Sequence, residues 1–251
     1  MTEPTLEQSK EFYEAWYRHR SDEKNIDQKC RWHAIRQFLR KRGLANARIL
    51  DIGCGSGWLS CALSAYGPVT AIDLSEEAIA QARRKYPHVR FQAGNFFDAE
   101  LSGPFDLIVC SEVIEHLSHE DQRRFLQLIA DQLAPEGQII LTTPNHPVVA
   151  QFGIDEAHGH AHGILQPIEN HLTAEQLRGL VESFFQITEL RTALFLQPFL
   201  RRHRVLNWLR YILYCRLRCL AVIENLFSAS LAGTYLCCLA QRTKASKPPV
   251  V

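Results

Sequence analysis

From residue 48 onward the chain alternates between two hydrophobic rhythms. Short apolar runs at Arg48–Ile52, Val69–Asp73, Val89–Ala93 and Phe105–Cys110 read as strands. Between them, helical spacing fills Gly57–Tyr66 and Ser75–Tyr86. Ser75 stands where a helix N-cap belongs, and Glu76 and Glu77 favour the positive end of the helix dipole. Ser118 predicts the cap of a further helix, on which Phe125, Leu128, Ile129 and Leu133 recur with a helical period. Pro135-Glu136-Gly137 predicts a turn into strand Gln138–Thr143. Thr173 with Gln176 predicts a capping box, and Phe185–Ala193 and Thr234–Ala240 read as the last strands. Ahead of all this, residues 8–42 read as helical, broken near Ser21–Ile26 and stopped at Gly43.

Strand-helix-strand alternation with short loops implies an α/β fold, a mostly parallel sheet covered by helices on both faces. Ligands in such sheets bind beyond the carboxyl ends of the strands, where the strand order reverses, so residues just after each strand are the first candidates for chemistry. The expected organisation is an N-terminal helical cap over residues 1–47, a core over 48–194, a helical insert over 195–232, a last core strand over 233–242 and a loose tail over 243–251.

Composition changes this picture little. With 46% hydrophobic residues and a net charge of +1, the chain can bury a core but has no global field for nucleic acid or anionic membrane. The start of the chain is polar and acidic, without the basic and apolar regions of a secretory signal. Its eight cysteines form no C-x-x-C pair, and several sit in apolar runs. Both features predict a reducing, cytoplasmic setting.

After the first strand comes Asp51-Ile52-Gly53-Cys54-Gly55-Ser56-Gly57-Trp58. Three alternate glycines permit a sharp turn and close backbone approach to a ligand. A dinucleotide-binding loop spaces its glycines G-x-G-x-x-G, and here the third slot holds the indole of Trp58, which argues against NAD or FAD. Asp73 ends the second strand, 22 residues after Asp51, where a carboxylate can accept both hydroxyls of a ribose.

The successive strings ILDIGCGSG, VTAIDLSEEAI, FQAGNFFD, FDLIVCSEVIEHL and LAPEGQIILTTPN resemble, in order and spacing, the motifs of class I S-adenosylmethionine-dependent methyltransferases. The resemblance covers about residues 48–145. It implies a seven-stranded Rossmann-like sheet with its last strand antiparallel, and S-adenosyl-L-methionine as cofactor. By that resemblance Asp51, Gly53, Cys54, Gly55 and Gly57 lie against the methionine part, and Asp73 with Leu74 holds the ribose. Asn95 and Phe96 flank the adenine, and Cys110 and Ser111 form the floor beneath the sulfonium. Arg31 is a candidate partner of the cofactor carboxylate.

A methyl group on a sulfonium needs alignment and exclusion of water, and a hydroxyl acceptor needs a general base or a metal as well. The candidates follow the fourth strand: Glu112, Glu115 and His116, joined by the later His171. If the segment is helical, Glu112 and His116 share a face. Such carboxylates and imidazoles also suit a divalent cation. E-x-x-E-H with a distant histidine resembles both the ubiquinone-biosynthesis O-methyltransferases and the metal-dependent 2′-O-methyltransferases of small RNAs. Pro167-Ile168-Glu169-Asn170-His171-Leu172 departs from the RNA group, which carries arginines and aromatics there. His158, His160 and His162 read as polar lid residues or as metal ligands.

The favoured acceptor is a small, hydroxylated, partly apolar molecule. RNA 2′-O-methylation is the alternative, disfavoured by the near-neutral charge. A partner subunit that binds the cofactor without chemistry is the other. In the 195–232 insert, Arg201, Arg202, Arg204, Arg210, Arg216 and Arg218 face a single acid, Glu224, while Val205, Trp208, Leu209, Ile212 and Leu213 keep helical spacing. That pattern fits peripheral contact with a membrane surface or a cover for a greasy acceptor, and equally a hairpin packed on the sheet or on a second copy in a homodimer. Phe12, Tyr13, Trp16 and Tyr17 resemble the family's cap helix, though such aromatics equally serve as core contacts.

Overall fold

The computed structural model describes residues 5–19, 26–152, 160–161, 164–165, 168–193 and 234–242. Two helices, α1 (Leu6–His19) and α2 (Ile26–Arg42), lead to β1 (Ile49–Ile52), α3 (Trp58–Leu63), β2 (Val69–Asp73), α4 (Glu76–Lys85) and β3 (Arg90–Ala93). The chain then crosses to β4 (Phe105–Ser111), α5 (His119–Gln132), β5 (Leu133–Pro144), α6 (His146–Phe152) and the two-residue strands β6 (His160–Ala161) and β7 (Ile164–Leu165). It closes with α7 (Ala174–Glu182), β8 (Phe185–Ala193) and β9 (Tyr235–Arg242).

Seven strands form one sheet in the order β3-β2-β1-β4-β5-β9-β8. β1 pairs in parallel with β2 and β4, and β9 runs antiparallel to both β5 and β8. This is the Rossmann-like arrangement expected from the sequence. Strand order turns back between β1 and β4, so their carboxyl ends border the crevice where ligands bind in such sheets.

The capping residues act as the sequence predicts. Ser75 Oγ accepts from the Ala78 N–H, Ser118 Oγ from the Asp121 N–H, and Thr173 with Gln176 completes a reciprocal capping box. One apolar layer packs α2, α3 and α4 against the sheet through Phe38, Leu59 and Ile79. The opposite layer packs α5 and α7 through Phe125, Ile129, Leu177 and Val181. Arg191 of β8 ties α2 to the sheet, its guanidinium 4.0 Å from the Phe38 ring and donating to Gln37 and to the Ala34 carbonyl.

Two local expectations change. The helix expected over Gly57–Tyr66 is six residues of α-helix followed by a 3-10 turn at Ser64–Tyr66, because Gly57 stays outside at φ 79°. The turn expected at Pro135–Gly137 is an irregularity inside β5. Phe105 pairs with Leu133 before the register shifts to Leu107 with Gln138, so the strand starts five residues earlier than its apolar run suggests. No helix among the described residues is long and apolar enough to cross a membrane.

Candidate active site

The carboxyl ends of β1, β2 and β4 open into a cavity of about 560 Å³. Its near wall is the glycine loop. Gly53 and Gly55 adopt φ of 70° and 52°, a left-handed conformation that side chains rarely take. A Cβ at Gly53 would overlap the Val113 side chain, and one at Gly55 would overlap the Tyr17 hydroxyl. Gly57 is also left-handed but packs against Phe91 and Ala82 rather than lining the cavity.

Two carboxylates stand beside this loop. Asp73 Oδ2 accepts from the Gly55 N–H at 2.7 Å, and Oδ1 from the Ser75 N–H at 2.9 Å. Burial raises the Asp73 carboxyl, opposed by those two backbone bonds. Asp51 is fully buried, and its Oδ2 accepts from Ser60 Oγ at 2.6 Å. The other oxygen, Oδ1, is buried with no hydrogen-bond partner among the described residues. Burial pushes this carboxyl up to about 7. An orphaned carboxylate oxygen beside a cavity is costly unless a donor, best a cationic one, completes it.

Asn95, Phe96 and Leu74 line the same space. Asn95 also shapes its own turn: Oδ1 accepts from the Phe97 N–H and Nδ2 donates to Asp98. Phe96 meets Phe125 edge to face at 5.4 Å. Ser111 reaches the cavity floor and hydrogen-bonds Thr142, whereas Cys110, expected beside it, is buried in the sheet core and does not line the cavity. Side chains alternate across a strand, so only one of two consecutive residues can face the ligand. Cys54 borders the cavity from the loop.

Beyond β4 the backbone departs from the helix considered above. Glu112 sits at φ 60°, an uncommon conformation for a residue with a side chain, and Ile114–His116 is a 3-10 turn. Glu112 Oε2 lies 3.2 Å from an Arg31 guanidinium nitrogen, and Oε1 accepts from Thr142 Oγ1 at 2.8 Å. Arg31, in turn, lies over the Tyr235 ring at 4.9 Å. Glu115 is fully buried and accepts from Thr143 Oγ1 at 3.1 Å. Burial pushes the Glu112 and Glu115 carboxyls up to about 7 each.

His116 faces the cavity beside Tyr13. Its Nδ1 is 3.2 Å from the Ile168 carbonyl, and its Nε2 is 3.8 Å from Glu115 Oε1. A carbonyl only accepts, so this contact makes Nδ1 the protonated nitrogen of the neutral ring. Burial holds the imidazole below the usual histidine value, against the opposing pull of the Ile168 carbonyl and of Glu169 and Glu112. His171 lines the same cavity.

The candidate residues are thus brought together, but not as an ion-binding cluster. Among the described residues no three His, Cys, Asp or Glu side chains converge to hold a metal. Glu112 is engaged by Arg31 and Thr142, so the donor set does not fit the divalent cation considered from sequence. His158, His162 and the whole of 195–232 lie outside the described residues, and His160 falls on β6.

The far wall is α1, through Phe12, Tyr13, Trp16 and Tyr17. Glu14 fastens it: its carboxylate accepts from the Glu76 and Glu77 N–H groups at 2.6 and 3.1 Å, capping α4 from a distant helix. Lys10 adds an ion pair to Glu76 at 2.8 Å. Sequence reasoning missed Glu14, Glu169, Thr142 and Thr143. No local signal marks them, since each acts on a partner remote in the chain.

A family model described as a methyltransferase domain matches residues 23–230. Ubiquinone biosynthesis O-methyltransferase from Aromatoleum aromaticum is 38% identical over 116 residues, 42% of this chain and 47% of that protein. The protein of the same name from Xylella fastidiosa strain 9a5c is 40% identical over 114 residues, 43% and 46% of the two chains. These matches span about half the length of the curated relatives. The N-methyltransferase NodS from Bradyrhizobium japonicum WM9, solved with S-adenosyl-L-homocysteine, superposes with a TM-score of 0.62 at 16% identity over 94% of this chain and 98% of its own. Magnesium protoporphyrin IX methyltransferase from Synechocystis PCC 6803 superposes with a TM-score of 0.60 at 15% identity, covering 93% and 98%. With the glycine loop, the acidic end of β2 and the reversed strand order in place, the chain belongs to the methyltransferase-domain family and is a class I, S-adenosylmethionine-dependent methyltransferase.

Proposed function

We propose that this enzyme transfers the methyl group to a hydroxyl of a small, partly apolar acceptor, with His116 as general base. The observation that carries the reading is the contact of His116 Nδ1 with the Ile168 carbonyl: a carbonyl only accepts, so the proton belongs on Nδ1 and the lone pair on Nε2. An imidazole held below its usual value is neutral at physiological pH and ready to accept a proton. Glu169 and Glu112, whose charges favour the protonated ring, stabilise the imidazolium that forms. His171 lines the same cavity. Two relatives named as O-methyltransferases support an oxygen acceptor.

The cofactor supplies a methyl group already activated on a cationic sulfur. The chain's own residues must bind it, align the acceptor and exclude water. The Asp51 carboxylate would meet the methionine end of the cofactor, Asp73 would hold the ribose hydroxyls, and Asn95 and Phe96 would flank the adenine. Gly53 and Gly55 leave room for the methionine portion. The aromatic side chains of α1 that line the cavity would shield the reacting centre from water.

The reading is tested with labelled cofactor and matched acceptors, catechol against aniline and thiophenol. Label is expected in the methyl ether of the catechol; transfer confined to the amine or thiol overturns it.

Asp51 gives a second expectation. Its folded value of about 7 lies above the ordinary 3.8, so its contribution to stability is present below 3.8 and is lost as pH rises through about 7. At pH 8 the buried charge therefore costs stability in the ligand-free protein. Asp51→Asn is expected to raise the melting temperature at pH 8 by about 2–6 °C, a gap that narrows toward pH 5. The same variant is expected to bind S-adenosylhomocysteine at least about tenfold more weakly, by loss of a charge-assisted bond. Equal melting temperatures together with unchanged affinity would contradict both roles.

A further inference from the structure

Residues 168–172 carry a small device that the reaction reading does not use. At its end Leu172 is bridged in parallel to Asn145, and its carbonyl accepts from the His146 N–H. Ile168, Glu169 and His171 line the cavity. Asn170 is bonded twice to the turn that carries His116. Its N–H donates to the Glu115 carbonyl at 2.7 Å, and its Nδ2 donates to the Leu117 carbonyl at 2.9 Å. These two carbonyls flank His116 on either side. Two residues earlier, the Ile168 carbonyl receives Nδ1 of the same histidine.

We infer that Asn170 is a positioning residue: by stapling 168–172 to the Glu115–Leu117 turn it holds the Ile168 carbonyl against His116 and so fixes the tautomer and aim of that imidazole. The inference rests on His116 as the base, but its physical content is separate. The Ile168 carbonyl can only accept and so favours the proton on Nδ1; moving that carbonyl away removes the preference. Removing the Asn170 amide takes away the bond to the Leu117 carbonyl and so loosens the register between the two pieces. The displacement needed to lose a hydrogen bond is small, because distance and angle both weaken it steeply.

The test is nuclear magnetic resonance of the full chain labelled with ¹⁵N-histidine, the His116 signals being assigned by their absence in His116→Gln. In the parent, His116 is expected to show one protonated and one bare ring nitrogen, with Nδ1 carrying the proton. In Asn170→Ala and in the isosteric Asn170→Asp the two nitrogens are expected to average as the tautomers mix. Affinity for S-adenosylhomocysteine is expected to stay within about twofold, since the glycine loop is untouched. A single unchanged tautomer in both variants overturns the inference. So does a parallel loss of S-adenosylhomocysteine binding in Asn170→Asp, which would make the staple a general support of the fold. If His116→Gln transfers methyl groups as fast as the parent, the base reading fails, while the tautomer measurement still decides the role of Asn170.

Discussion

Asp73→Ala is expected to weaken S-adenosylhomocysteine binding by about 10²–10⁴-fold. Two ribose hydroxyls donating to an ionised carboxylate are worth about 1.5–3 kcal/mol each, and the alanine leaves both unanswered. In the ligand-free protein the same carboxylate already accepts from the Gly55 and Ser75 N–H groups, so it shapes the loop and the start of α4 before any ligand arrives. Losing those bonds costs roughly 1 kcal/mol each, a fall of about 4–8 °C in melting temperature for a chain of this size. Asp73→Asn separates the two roles. Its remaining carbonyl oxygen recovers part of the stability but offers a single acceptor without charge, so affinity stays low. Calorimetric titration reads the first effect and thermal melting the second; an alanine variant that binds within threefold of the parent would remove Asp73 from the site.

His116→Gln is expected to lower kcat for a hydroxyl acceptor by about 10²–10⁴-fold, the usual span for a lost general base. Glutamine keeps a hydrogen-bonding end but cannot take a proton. Cofactor affinity is expected to be unchanged, because His116 stands on the turn after β4 and not in the glycine loop. The parent should also show a falling rate on the acid side. His116 is depressed below the ordinary value of 6.5, so the protonated form that cannot act as base appears only as pH drops below that value. The variant's residual rate should lose that limb. A glutamine variant within threefold of the parent kcat would transfer the base role elsewhere in the cavity.

The parts of this structure that were legible in the sequence are those written locally. Ser75, Ser118 and the Thr173–Gln176 box announce helix starts because a cap and its acceptor lie three residues apart. The glycine loop is legible because alternate glycines before a helix have few other uses. What was hidden depends on partners far away in the chain. The conformation of Glu112 answers to Arg31 on α2 and Thr142 on β5, and nothing near residue 112 betrays either. Glu14 caps a helix that begins 62 residues later. The Pro135–Gly137 string looks like a turn, yet it is absorbed by a shift in pairing with β4. Cys110 and Ser111 were read as one floor, but the pleat of the strand sends only Ser111 to the cavity.

The reversal of strand order between β1 and β4 divides the labour of the chain. Residues 49–98, running outward through β2 and β3, furnish the glycine loop, Asp73 and the Asn95 turn, whereas residues 111–171, running the opposite way, furnish Ser111, Glu112, His116 and His171. Two lengths of polypeptide thus meet along a single seam, where β1 of the first pairs with β4 ahead of the second. The seam is tight, since β4 pairs directly with β1 and Val113 lies against Gly53, so a change of shape after β4 is felt at the glycine loop.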